Sequence, residues 1–463
     1  MNLNEKINQH FSAIKNRVIN SDLVEFLKIK SVSADPAYVS ECERAADWLA
    51  RYLSKLGFQT EIFQTTSKPL VLANLAGSID HTFVYYGHYD VQPADPENLW
   101  QSPPFEPTIK EGRIYARGAC DNKGMTLSFF AGVESLIRSG LPYPNIKVIL
   151  EGEEESGGSG INNALPSLIN RLKGDTLIVY DTSTPEKGRG TITMGLRGIL
   201  GFEINLNGPA YDLHSGGFGG AVANPALFVA KIAASFHNED GTVAVSGFYD
   251  DVAEPSPQEI KLAEKFAPDE QTIKRAIAVN ELWGEKSYSP IARISFRPTL
   301  EINGITSGYG GEGGKTIIPA KANIKITCRL VPNQDPAKIL ESIKKHIEKL
   351  PLPKGISCHL TSAHGATGKN YLRAKSDTLE VKLARQIFEE LTSKETAFEW
   401  SGGSIPILAE ICDRANLSPL LVGLSLEADR IHAPNESFDL EQFELGAIFA
   451  ARFLTEAKQL KAR

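Results

Sequence analysis

Short apolar runs that alternate with helix-length amphipathic stretches dominate the first 195 residues. Strand candidates occupy 58–63, 69–75, 82–87, 146–151 and 176–180, and helix candidates 123–138 and 160–171 lie between or beside them. Residues 40–56, SECERAADWLARYLSKL, set Ala45, Trp48, Leu49, Tyr52, Leu53 and Leu56 at helical spacing, and Gly57 follows as a stop. A chain of this kind buries its strands under its helices, so the expected class is α/β. After residue 195 the texture changes. A glycine-flanked strand lies in GLRGILGFEINLNGPAYDLHSG, followed by a helix at 223–236 and a polar, proline-containing stretch at 250–290. Strands at 292–297 and 322–330, a helix at 336–349 and a strand at 355–362 complete an α+β module. Helices 377–392, 404–415 and 440–458 with a strand at 419–424 restore the first texture. The expected architecture is a discontinuous mixed-sheet domain, 1–195 and 367–463, with an α+β module inserted at 196–366.

Bulk properties narrow the function classes. Hydrophobic residues make up 42%, enough for sizeable cores, and the net charge of −7 gives no basic footprint for nucleic acid. The five cysteines include no CxxC pair, and their odd number argues against a disulfide framework and for a reducing compartment. The N-terminal residues lack the apolar core of a signal peptide, and no apolar run reaches about 18 residues. The expectation is a cytoplasmic protein with neither membrane nor nucleic-acid partners.

The chemistry-bearing residues cluster in pattern rather than in sequence. His88 and Asp90 follow the apolar run ending at 87, Glu154 and Glu155 follow the run ending at 151, and Asp181 follows the run ending at 180. His432 lies in DRIHAPNE, a short loop beyond the 419–424 strand, while Asp121 in RGACDNKG precedes a helix. Singly, each has a structural reading: a satisfied polar histidine, a solvated acidic run, or an N-cap aspartate. Together they fall at strand ends, where an α/β sheet presents its ligand site. Two histidines with several carboxylates suit a zinc-like ion or a two-metal site.

The motifs GHYDVQP, RGACDNKG, EGEEESGG, YDLHSG, KTIIPAKA followed by CRLVP, and GGSIP occur in that order. The chain thereby resembles the dinuclear metallopeptidases related to carnosinase and cytosolic non-specific dipeptidase, from about residue 20 to 455. Their clan also holds aminoacylases and glutamate carboxypeptidases. The resemblance implies hydrolysis of dipeptides or short peptides with two divalent cations, Zn²⁺ first and Mn²⁺ or Co²⁺ as alternatives. It implies His88, Asp121 and Asp181 as ligands of one ion, and Asp121, Glu155 and His432 as ligands of the other. Asp90 would orient His88, and Glu154 would be the general base. A cis peptide is implied after Asp121. Relatives often carry aspartate where this chain has Asn122, and commonly an apolar residue where it has Glu153. The resemblance further implies a homodimer built through the inserted dimerisation or lid module. His214 would reach the partner's site as oxyanion donor, with Arg329, Thr316, His364 and Ser404 contacting substrate. The glycine stretch 308–315 lacks phosphate-loop spacing and reads as a substrate-facing loop. An N-acyl-amino-acid deacylase or a carboxypeptidase of the same clan is the alternative activity. A metal-dead scaffold would require a lost ligand, and none is missing.

Overall fold

The computed structural model describes residues 3–364 and 371–460. The chain divides into two compact units: 1–194, 374–399 and 411–463 form one, and 195–373 with 400–410 form the other. Residues 400–410, which a continuous reading places with the returning segment, thus group with the second unit.

In the first unit, strands Pro144–Glu151, Ile79–His88, Thr176–Ser183 and Ser418–Ser425 lie side by side and parallel. Antiparallel neighbours flank them: Leu70–Leu75 and then Gln59–Phe63 on one side, Thr191–Leu196 on the other. The sheet is therefore mixed, with all four carboxyl ends of its parallel core on one edge. The core strands are buried over most of their length, so their sequences are continuous apolar runs rather than alternating ones.

Helix Lys123–Ser139 is buried on nearly every face. It packs against helices Leu440–Glu456 and Leu3–Arg17. The rings of Phe129 and Phe130 meet Tyr85 of the central strand at 4.2 and 5.1 Å between centroids. At Gly132 this helix and Leu440–Glu456 approach closely, since a Cβ there would stand 2.3 Å from the carbonyl oxygen of Ala447. Among the described residues no helix is long and apolar enough to cross a membrane.

The second unit is an antiparallel sheet in the order Thr299–Ser307, Lys321–Leu330, Gly198–Asn207, Ser357–His364. Lys321–Leu330 alternates cleanly, burying Ala322, Ile324, Ile326, Cys328 and Leu330. That face shares a core with Val229 and Ile232 of helix Pro225–Ser235, and with Ile339 and Ile343 of helix Pro336–Glu348. The strand expected at 292–297 is instead a helix, Pro290–Phe296. Ser289 accepts a hydrogen bond from the Ala292 N–H and Pro290 occupies the first turn, which together start a helix. Ala292, Ser295 and Phe296 are its buried residues, at i, i+3 and i+4. The strand begins at Thr299.

Gly132→Ala sets a gain in helix propensity of about 1 kcal/mol against a backbone clash that neither helix relieves without moving. The clash wins, and the expected outcome is a net loss of about 1–3 kcal/mol in urea unfolding monitored by circular dichroism.

Candidate metal centre

At the carboxyl edge of the parallel strands, two groups of donor atoms converge. His88, Asp121 and Asp181 form one and Asp121, Glu155 and His432 the other, with the donor atoms of each lying within 4.8 Å of one another. Asp121 belongs to both. Its Oδ1 lies 3.0 Å from His88 Nε2 and its Oδ2 lies 3.0 Å from His432 Nε2. The two imidazoles thus address opposite oxygens of one carboxylate.

Each side chain is placed by its local structure. His88 ends its strand, with Nδ1 at 3.2 Å from the Asp90 carbonyl oxygen and 3.3 Å from Asp90 Oδ1. An Nδ1–H donated to Asp90 leaves the Nε2 lone pair facing Asp121. The Asp90 carboxylate is fully buried. It accepts from Ser33 Oγ at 2.6 Å, from the Glu154 N–H at 3.2 Å and from the Glu155 N–H at 3.1 Å. Asp90 therefore fixes both the histidine and the acidic turn beside it.

The three consecutive glutamates diverge. Glu153 turns away, accepting from the Gly160 N–H at 2.7 Å and from Ser159 Oγ at 3.3 Å at the start of helix Ser159–Leu168. Glu155 Oε2 lies 3.2 Å from His432 Nε2. Glu154 is partly buried between them in the single turn Glu154–Ser156.

Asp121 precedes helix Lys123–Ser139, and the Asp121–Asn122 peptide is cis. Gly87, beside His88, gives this helix start its room, since a Cβ there would stand 2.8 Å from Thr126 Oγ1.

Two orienting residues escape sequence reasoning. Gln92 Nε2 donates to Glu155 Oε2 at 2.8 Å, and only its place in GHYDVQP hints at this. Asn122 Nδ2 donates to the Tyr180 carbonyl at 2.5 Å and to Asp181 Oδ1 at 2.7 Å, while its Oδ1 accepts from Thr126 Oγ1 at 2.6 Å. An ionised aspartate at 122 has no proton to donate to those two acceptors, so the amide suits this position.

Charge within the cluster is unequally distributed. Asp121, Asp181, Glu154, Glu155 and Asp90 gather around two imidazoles, His88 and His432. Burial opposes a charge on His88, but hydrogen bonds to Asp121 and Asp90 and the neighbouring carboxylates raise its pKa well above the ordinary value. Hydrogen bonds to Asp121 and Glu155 raise His432 to about 10. Burial favours a proton on Asp121, yet the imidazoles on either side outweigh it and lower its pKa. Asp181 is pushed up to about 7, first by burial and then by the charges of Asp121 and Glu155 that His88 only partly offsets. Burial, with the surrounding carboxylates, raises Glu154 well above its usual value. A cluster whose histidines hold protons against burial, and whose carboxylates are driven to take protons up, has room for added positive charge. Imidazole nitrogen and carboxylate oxygen are the donors that zinc-type divalent cations take, and these residues fit two such ions sharing Asp121.

The remaining candidates lie in the second unit. His214 pairs with Ile317 across a two-residue ladder, and the Ser215 N–H donates to the Thr316 carbonyl at 3.0 Å. The exposed His214 ring accepts from the Gly216 N–H through Nδ1 at 3.0 Å, so the neutral ring carries its proton on Nε2. Arg329 Nη1 donates to Ser404 Oγ at 2.8 Å. No carboxylate among the described residues pairs with this guanidinium, and burial lowers its pKa. His364 ends strand Ser357–His364, and its side chain lies outside the described residues.

Residues 84–456 match the model of peptidase family M20/M25/M40. The chain belongs to that family. It is 28% identical to the Cys-Gly metallodipeptidase of Schizosaccharomyces pombe over 91% of both chains. Among solved structures, the di-peptidase Dug1p from Saccharomyces cerevisiae superposes with a TM-score of 0.86 at 27% identity over 99% of each chain. The M20 family metallo-carboxypeptidase Sso-CP2 from Sulfolobus solfataricus gives 0.85 at 32% identity, covering 95% of this chain and 98% of its own.

Cations entering this M20 cluster compete with its protons. Protonated forms dominate below the raised pKa values, so affinity must fall as pH falls. One displaced proton per ion gives about a tenfold change in affinity per pH unit. The check is calorimetric titration of the metal-free protein with Zn²⁺ between pH 6 and 8, in buffers of different ionisation enthalpy. Proton release at pH 7 and tighter binding at pH 8 are the expected results.

Proposed function

We propose that the protein is a dinuclear metal-dependent dipeptidase. The observation that carries this reading is the pair of donor groups sharing Asp121, with Glu154 beside them, in a chain of family M20. His88, Asp121 and Asp181 would hold one ion, and Asp121, Glu155 and His432 the other. Two divalent cations there would supply polarisation of the scissile carbonyl and acidification of a water. Zn²⁺ is the first choice for a histidine and carboxylate set, with Mn²⁺ or Co²⁺ as alternatives.

Asp90 keeps His88 in one tautomer. Glu154 takes a proton from the attacking water and passes it to the leaving amine. Arg329, set by Ser404, binds the substrate carboxylate bidentately, and the lack of a carboxylate partner among the described residues supports that role. Thr316 and His364 line the substrate site in this reading. His214 donates Nε2–H to the tetrahedral oxyanion of the partner subunit in a two-fold homodimer built through residues 196–366. A cytoplasmic location accords with an odd number of cysteines that includes no CxxC pair.

The similarity to Sso-CP2 favours a second reading, a carboxypeptidase acting on longer chains. A panel of unblocked dipeptides, longer peptides and N-acyl amino acids, assayed on metal-stripped protein reloaded with Zn²⁺ or Mn²⁺, separates them. The dipeptidase releases two free amino acids from dipeptides and leaves the other two classes largely intact.

Glu154→Gln preserves size and hydrogen bonding but accepts no proton. The expected result is two ions bound by elemental analysis and a rate lower by about 10²–10⁴-fold. Loss of an ion in Glu154→Gln, with both kept in Glu155→Gln, would exchange the two roles.

Glu154→Ala and His214→Ala test the dimer together, since each alone is expected to be nearly inactive. After subunit exchange, half of the dimers are mixed, and each mixed dimer has one site with both defects and one with neither. Activity should then recover to about a quarter of wild type. No recovery in dimers shown by mass spectrometry to be mixed would reject action of His214 on the partner's site.

A further inference from the structure

Glu436 lies four residues beyond His432 and is completely buried. Its carboxylate takes four donors from the segment leading into Asp121. Oε2 accepts from Arg117 Nη1 at 2.7 Å and from the Gly118 N–H at 2.9 Å. Oε1 accepts from the Cys120 N–H at 3.0 Å and from the Asp121 N–H at 3.1 Å. The Glu436 carbonyl accepts from the Ala116 N–H at 3.1 Å.

The connection extends to a third loop. Arg117 Nη2 donates to the carbonyl of Pro93, in the segment that leaves His88 and Asp90. The adjacent Asn435 is also pinned, accepting from the Gln101 N–H at 2.7 Å and donating to the Leu99 carbonyl at 3.0 Å. One carboxylate thus stands at the junction of the loops that carry His88, Asp121 and His432.

We infer that Glu436 is a positioning residue, holding the Asp121 backbone so that its two oxygens face His88 and His432 at once. The inference rests on reading Asp121 as the donor shared by two cations. A bridging carboxylate serves both ions only if its backbone is fixed relative to both histidines, which lie far apart in sequence. Hydrogen bonds from three backbone N–H groups to one buried anion fix that segment before any cation arrives. A glutamine at 436 would turn an NH₂ group against at least one donor pair and lose half of this hold.

The experiment uses the full-length chain, stripped of metal and reloaded. Wild type and Glu436→Gln are titrated with Co²⁺, followed by visible absorption, and with Zn²⁺ against a chromophoric chelator. The temperature is one at which circular dichroism shows both folded. Affinity for both ions is expected to fall by about 10–100-fold, with an altered Co²⁺ spectrum. Leu53→Ala, a core truncation in helix Val39–Lys55, is the stability control and should keep wild-type affinity and spectrum. Unchanged affinity and spectrum in folded Glu436→Gln overturn the inference, as does a loss equal to that of Leu53→Ala.

If Glu436→Gln does not fold, hydrogen exchange of metal-free wild type decides. The peptide containing the Gly118, Cys120 and Asp121 amides should be protected, and exchange at the rate of an open loop overturns the inference. Wild type that takes up no divalent cation defeats the dinuclear reading instead, and the exchange result still judges the hold of Glu436 on the loop.

Discussion

The carboxylate of Asp121, held between the imidazoles of His88 and His432 at 3.0 Å on either side, is the interaction around which this molecule is arranged. Like charges a few ångströms apart repel by about 4 kcal/mol at the dielectric of a protein surface. Gathering Asp90, Asp121, Glu154, Glu155 and Asp181 in one place therefore requires compensation. The protein supplies it in two layers. The outer carboxylates, Asp90 and Glu436, are satisfied by backbone N–H groups of the acidic turn and the Asp121 loop. The inner ones meet imidazoles, the side-chain amides of Gln92 and Asn122, and one another. Burial first, and that residual charge with it, raises Asp181 and Glu154, and the charge is what the proposed cations would neutralise.

The parallel core makes this arrangement possible. Three of its strands deliver His88, Asp181 and the glutamate turn to one edge, and the fourth leads into the His432 loop. Each strand is anchored by apolar burial elsewhere along its length, so the cost of the polar edge is met by the core below it. Helix Lys123–Ser139, buried almost all round, carries Asp121 to the same edge from its N-terminal end. The second unit contributes a different chemistry. Its Arg329 is a half-buried cation that donates to the Ser404 hydroxyl.

Legibility in the sequence followed the strength of local signals. The long apolar strands and amphipathic helices of the first unit were readable because one period dominates each. Residues 292–297 were not, since ARISFR satisfies an alternating strand pattern over six residues, and the Ser289-Pro290 start decides for the helix. The run Glu153-Glu154-Glu155 looks uniform in sequence. Only the backbone turn sends Glu153 to helix Ser159–Leu168 and Glu155 toward His432. Gln92, Asn122 and Glu436 carry no signal of their own, because an uncharged amide or a lone carboxylate acquires a task only from the atoms it meets.

The sequence by itself determined which residues could carry chemistry, the α/β class and the family resemblance. These rest on residue type, hydrophobic period and the order of motifs, all of which are local. Tertiary structure alone decided that Asp121 faces both histidines, that Asp90 ties the His88 loop to the acidic turn, and that Glu436 reaches back across 315 positions to the Asp121 amide. Such contacts depend on strand order and on the loops that leave the sheet, and hydrogen bonds are set by distances of a few tenths of an ångström that no spacing along the chain encodes.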